Sequence, residues 1–219
     1  MAMAVVRPML EGIDVSHWQG DIDWEQVAAA GKSFAYIKCT ESTNYADPKF
    51  IENITAAKTY GLKVGGYHFY RPSESGEKQA EWFAQHLMGS GFNLPPVLDT
   101  EINPDDDNPT IIISETLNFL LNLEYLTEWR PCIYTSSSFW TRNMYLRKLR
   151  PIWCLYYSLW IANWKVSKPS VPRPWWRENW TFWQYTDSGT VPGIEGTVDL
   201  NKFNGDERKL KRILKKVKL

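Results

Sequence analysis

The run "PPVLDTE" (95–101) ends on two carboxylates, Asp99 and Glu101, separated by one residue. In an extended chain, residues i and i+2 project from the same face. The two acids therefore point together, and Thr100 points away. Other acids hold comparable places: Asp14 lies in "EGIDVSHW" (11–18), Glu41 directly follows "SFAYIKCT" (33–40), and Asp199 lies in "GTVDLNKF" (196–203). Crowded carboxylates do not all ionise together. Repulsion and burial raise the pKa of one, which keeps its proton, while another stays charged. A protonated acid beside an anion can split a glycosidic bond, whose transition state carries positive charge on the sugar ring. A lone D-x-E is more often a solvated loop start, and Asp105, Asp106 and Asp107 are expected to be surface loop of that kind. Clustered carboxylates also suit calcium or magnesium, but no regular D-x-D-x-D loop is present. The acids on other strands are what raise Asp99 and Glu101 above the plain reading.

These acids need a scaffold that gathers strand ends. Further strand candidates are "LKVGGYHFY" (62–70), "PCIYTSS" (131–137), "YSLWIANW" (157–164) and "TFWQYTD" (181–187), making eight with those above. Helix-like stretches separate the earlier ones. Asp47-Pro48 reads as an N-cap followed by Pro at the first helical position, and Gly61 as the stop. Phe50, Ile54 and Ala57 would share that helix's inner face. Ala80, Phe83, Ala84 and Leu87 form an i, i+3, i+4, i+7 stripe. Ile113, Leu117, Leu120 and Leu121 predict another inner face, and a weaker helix is expected over 138–149. The proline-rich stretch 165–180 has no helical period and reads as loop. The last two strands are too close for a helical crossover between parallel neighbours. The expected fold is α/β: an irregular, flattened TIM-like barrel of five βα units followed by three strands lacking full helices. An open doubly wound sheet is the alternative, but no GxGxxG or GxxxxGK[ST] follows the first strand. In a closed barrel the first and last strands are neighbours, which would bring Asp14 and Asp199 to one side of the mouth.

With 219 residues and 43% hydrophobic content, one domain with a full core suffices. Residues 1–9 read as an N-terminal extension, 10–205 as the barrel and 206–219 as a basic tail. Lys+Arg and Asp+Glu are both 25, a balance that gives no global field to draw in nucleic acid. No run is long enough for a membrane span, and "MAMAVVRPML" lacks the basic start of a signal peptide. Cys39, Cys132 and Cys154 share no CxxC spacing and are expected buried and free. Three His residues offer no zinc site. The excess is aromatic: 12 Trp, 11 Tyr and 9 Phe, rings that suit both cores and sugar faces. Tyr67, Tyr134, Trp160, Trp183 and Tyr185 lie on strands, as core or groove. Trp175, Trp176 and Trp180 lie in the proline-rich loop, to cover a barrel end or extend a groove. His68 and Lys38 are expected to be structural. The tail "RKLKRILKKVK" (208–218) reads as a helix with a solvated basic face.

The blocks "GIDVSHWQGDIDW", "YIKCTE", "GGYHFY", "PVLDTE", "IYTSS", "LWIANW", "WQYTDSG" and "VDLNKF" resemble, in order, those of glycoside hydrolase family 25 lysozymes, over about residues 10 to 204. The resemblance implies a flattened barrel that cleaves the β-1,4 bond from N-acetylmuramic acid to N-acetylglucosamine in bacterial peptidoglycan. By motif, Glu101 matches the general acid and Asp99 its partner, and Asp14 and Asp199 match two further acids of the site. Tyr67, Tyr134, Trp160 and Trp183 match groove positions, with Glu41 beside them as a substrate-binding candidate. Neither cofactor nor metal is expected. Action on the cell wall follows from the same resemblance, and a monomer is expected. In the expected mechanism the substrate's 2-acetamido oxygen attacks the anomeric carbon; a carboxylate nucleophile or an inverting water are the rivals. The competing classes are a non-catalytic glycan-binding barrel and a peptidoglycan amidase.

Overall fold

A computed structural model describes residues 9–145, 150–176 and 179–214. Nine strands form the sheet: β1 (Leu10–Val15), β2 (Phe34–Glu41), β3 (Tyr45–Ala46), β4 (Lys63–Phe69), β5 (Val97–Asp99), β6 (Cys132–Ser136), β7 (Ser158–Ala162), β8 (Phe182–Gly189) and β9 (Val198–Phe203). All eight expected strands are present, and the two-residue β3 is an addition on the edge of β2. The order β1-β9-β8-β7-β6-β5-β4-β2 closes through a parallel β1–β2 pairing into an eight-stranded barrel. Neighbours from β1 through β2 and β4 to β8 run parallel, whereas β9 is antiparallel to both β8 and β1. The short link between the last two strands leaves no other choice.

Helices α1 (Trp24–Ala29), α2 (Phe50–Thr59), α3 (Gly76–Leu87) and α4 (Pro109–Thr127) follow the first four barrel strands. After β6 come α5 (Ser137–Phe139), continued by a π-turn over Trp140–Met144, and a short 3-10 helix over Ile152–Tyr156; a C-terminal α6 spans Glu207–Ile213. The expected helix over 138–149 is thus reduced to α5 and its π-turn, and its residues 146–149 lie outside the described ones. Two helix expectations need correction. The second helix begins at Phe50, with Lys49 as N-cap, because Asp47 is engaged elsewhere: it accepts from the Lys49 amide at 2.9 Å and from the His17 amide at 3.1 Å. On α4 the buried face is Ile112, Thr116, Phe119, Leu120, Leu123 and Thr127, and Leu121 is exposed. Phe119 decides this phase by packing against His68, Tyr70 and Phe83.

Strand alternation divides the apolar residues in two. Phe34, Tyr36, Val97, Cys132, Tyr134, Trp160, Phe182 and Phe203 fill the barrel interior. Ile13, Ala35, Ile37, Leu98, Ile133, Leu159, Ile161 and Trp183 face outward, toward the helices and covering loops. Gly65 leaves room inside for the Tyr36 ring, which a Cβ would strike, and Tyr36 stacks on Trp160 at 4.7 Å between centroids. Cys39, Cys132 and Cys154 are buried and free. His68 is buried between Thr40 Oγ1 at 2.8 Å and Gln79 Oε1 at 3.1 Å, and burial drives its pKa down to about 4. No helix among the described residues is long and apolar enough to cross a membrane.

Helices α3 and α4 meet at Gly76, where a Cβ would run into the Glu115 carbonyl. Backbone cannot yield as a side-chain tip can. Gly76→Ala is therefore expected to cost about 2 kcal/mol, read as a lowered midpoint in urea unfolding with an unchanged slope.

Candidate active site

At the C-terminal ends of the parallel strands the aromatic interior gives way to acids. Asp14, Asp99, Glu101 and Asp199 converge on one cleft of about 210 Å³, together with Lys38, Tyr67, Tyr134 and Trp160. The antiparallel β1–β9 register sets Asp14 directly opposite Asp199. Asp99 is the last residue of β5, and Glu101 follows it at the mouth.

Asp14 is saturated by donors. Asn201 Nδ2 donates to its Oδ1 at 2.6 Å, and Gln184 Nε2 lies 3.1 Å from each of its oxygens. Gln184 Nε2 also lies 3.0 Å from Asp199 Oδ2, while its Oε1 accepts from Tyr134 Oη at 2.9 Å and Trp164 Nε1 at 3.1 Å. Trp160 Nε1 holds Asn201 Oδ1 at 2.8 Å. One amide thus fixes two acids and a tyrosine. Burial raises Asp14, against the hydrogen bonds of Asn201 and Gln184 that favour its anion. Burial, then the charge of Asp14, raises Asp199. The geometry makes Asp14 the better hydrogen-bonded anion of the two and Asp199 the holder of the proton.

Asp99 differs. It is 6% exposed, and its Oδ1 has no hydrogen-bond partner. Burial first, then the charges of Glu101 and Asp14, hold its carboxyl well above the usual range. Burial and then Asp199 raise Glu101, while a hydrogen bond from Tyr134 favours its anion. The Tyr134 hydroxyl has a single proton for Glu101 and Gln184, so the state of Glu101 is tied to the network behind Asp14.

Lys38 points into this cleft from β2. Its Nζ is 2.6 Å from Glu41 Oε2, and Arg71 Nε holds the other oxygen of Glu41 at 2.9 Å. Burial alone would raise Glu41, but the hydrogen bonds of Lys38 and Arg71 outweigh it and hold the carboxyl low. Glu41 therefore tethers Lys38 and does not itself line the cleft. The Lys38 charge lowers the pKa of both Asp99 and Glu101. In Lys38→Met both groups hold their protons to higher pH. Both titrations, followed by NMR of the labelled carboxyl carbons, are expected to move upward; titrations that stay in place would rule out this coupling.

Of the sequence candidates, Asp14, Asp99, Glu101, Asp199, Tyr67, Tyr134 and Trp160 meet in the cleft. Trp183 does not: Phe182 and Gln184 take the interior side of β8, so Trp183 faces outward and donates to the Asn163 carbonyl at 2.8 Å. In the proline-rich loop Trp175 is buried against Trp140 and Trp176 is exposed. Lys38, expected to be structural, lines the cleft, and Gln184, Phe69 and Trp18 were not singled out from sequence. Trp18 is 80% exposed at the rim. Asp105 and Asp106 are exposed loop residues. Among the described residues no group of three His, Cys, Asp or Glu is arranged to hold a metal ion.

The family model described as "Glycosyl hydrolases family 25" matches residues 13–194. "Lysozyme M1" of Streptomyces globisporus is 41% identical over 217 residues, covering 92% of this chain and 70% of that protein. An "N,O-diacetylmuramidase" of Chalaropsis sp is 29% identical over 215 residues, covering 87% of this chain and 96% of the relative. The crystal structure of a bacterial lysozyme from Streptomyces coelicolor superposes with a TM-score of 0.87 at 40% identity, covering 96% of this chain and 99% of that one.

Proposed function

The chain belongs to glycosyl hydrolase family 25, and from that membership we propose that it is a muramidase acting on bacterial peptidoglycan at the cell wall. It hydrolyses the β-1,4 bond from N-acetylmuramic acid to N-acetylglucosamine, with Glu101 as general acid and Asp99 as partner of the 2-acetamido group. The observation that carries this reading is the carboxyl of Asp99, which lines the cleft beside Glu101 above a floor of aromatic rings and has one oxygen with no donor from the protein. A buried carboxylate short of donors is costly, and an acetamido N–H is a donor that a muramyl ring brings to the group's cleft-facing edge.

In the empty cleft burial favours protonated Asp99. When the substrate N–H donates to the carboxyl, the anion of Asp99 is favoured. The proton shared by the pair then belongs on Glu101, where the leaving oxygen needs it. The acetamido oxygen attacks the anomeric carbon as the glycosidic bond breaks, and Glu101 gives its proton to the departing oxygen. Ionised Asp99 accepts the N–H of the resulting positively charged ring. Water, deprotonated by Glu101, reopens that ring with the original configuration retained. Asp14 is less suited as a nucleophile, because both its oxygens are engaged by Asn201 and Gln184. Asp14 and Asp199 instead contribute a polar wall that favours positive charge on the sugar.

The test is mass spectrometry of purified peptidoglycan after digestion. New reducing ends on N-acetylmuramic acid are expected. Free stem peptides would make the protein an amidase, and binding without new ends a glycan-binding barrel.

A further inference from the structure

Glu101 stands between two cavities. On one side is the carboxylate cleft; on the other, Glu101 shares a second cavity with Asn103, Ser136, Ser138, Asn143 and Arg142. A general acid sits at the bond being broken, and Asp99 marks the side of the ring that keeps the anomeric carbon. The second cavity therefore lies where the departing part of the glycan leads. Its walls are set in advance: Asn103 Nδ2 donates to Asn143 Oδ1 at 3.2 Å, its Oδ1 accepts from the Asp107 amide at 2.8 Å, and the hydroxyls of Ser136 and Ser138 are 3.1 Å apart. Beyond it a shallow trough runs past Ser137, Thr141 and Asn163. Arg142 borders both spaces and, among the described residues, is the only charged one lining the trough. It is exposed and forms no ion pair among the described residues, including with Asp106 across the second cavity.

We infer that this surface binds the leaving-side glycan, hydroxyls against the Ser and Asn wall, and that Arg142 pairs with a carboxylate the glycan carries. The inference rests on the muramidase reading. A guanidinium fork fits a carboxylate with two parallel hydrogen bonds. In peptidoglycan that carboxylate comes from the stem peptides or, where these are absent, from the lactyl groups of muramic acid.

The test measures kcat/KM for new reducing ends on three substrates freed of wall phosphate polymers: intact peptide-bearing glycan, the same glycan after carbodiimide amidation of its carboxylates, and glycan stripped of its peptides. Arg142→Gln is expected to lose about fivefold on intact glycan, the worth of a solvent-exposed charge pair, and nothing on amidated glycan. Arg142→Lys should recover part of the loss. A loss confined to intact glycan assigns the stem peptide, and a further loss on stripped glycan shows that Arg142 also takes the lactyl carboxylate freed there. Equal losses on intact and amidated glycan, or no loss on either, would overturn the inference. Wild-type protein that frees no reducing ends from any substrate would overturn the muramidase reading itself, and this inference with it.

Discussion

Glu101→Gln is expected to lower kcat/KM on peptidoglycan about a thousandfold, in the middle of the range for a lost general acid. Gln keeps the length of the side chain and can still meet the Tyr134 hydroxyl, but it has no proton to give. The substitution also removes one of the charges that burden Asp99, so the folded protein should be no less stable, and urea unfolding checks this. The decisive comparison uses two substrates. An aryl glycoside with a good leaving group needs little protonation, so the variant should lose far less on it than on peptidoglycan. A loss of the same size on both would mean that Glu101 positions the substrate and does not protonate it.

Asp99→Asn is expected to cost about a hundredfold, chiefly in kcat, because an amide cannot balance the charge of the acetamido ring as it forms. Asn nearly matches Asp in shape, so the cleft should survive. A double cycle separates this role from a general one. De-N-acetylated glycan gives the enzyme no acetamido group. On that substrate the wild type should be slow and Asp99→Asn scarcely slower. A full hundredfold loss there, or a glycosyl adduct on Asp99 or Asp14 in quenched reactions, would replace the substrate-assisted route with a carboxylate nucleophile.

The sequence made the barrel legible because its strands are short apolar runs between turn signals, and every one of the eight lies where it was expected. The acids were legible for a related reason: Asp14, Asp99 and Glu101 lie at or just past the C-terminal ends of parallel strands, which gather at one mouth, and Asp199 reaches it from the start of antiparallel β9. Failures came where two neighbouring phases were equally apolar. In "FWQ" both Phe182 and Trp183 are aromatic, so residue type could not show which faces inward; Gln184, two residues after Phe182, carried the answer. On α4 the exposed Ile111, Leu121, Tyr125 and Leu126 blur the period. Asp47 looked like a helix cap because nothing in its neighbourhood revealed His17 as its partner, 30 residues earlier. Gln184 and Lys38 escaped for a similar reason, since their work lies in contacts with strands distant in sequence.

The pairing of β1 with β9 has a consequence for how the protein comes into being. Asn201 grips Asp14 across 187 residues of chain, and Asp199 faces Asp14 from the same final strand. On the ribosome, the first strand emerges long before the last one is synthesised, and no earlier segment can complete the acidic cluster. Hydrolytic power should therefore arrive late and all at once, when β9 slots between β8 and β1. Nascent chains arrested before residue 198 should carry Asp14, Asp99 and Glu101 yet be inert toward the wall.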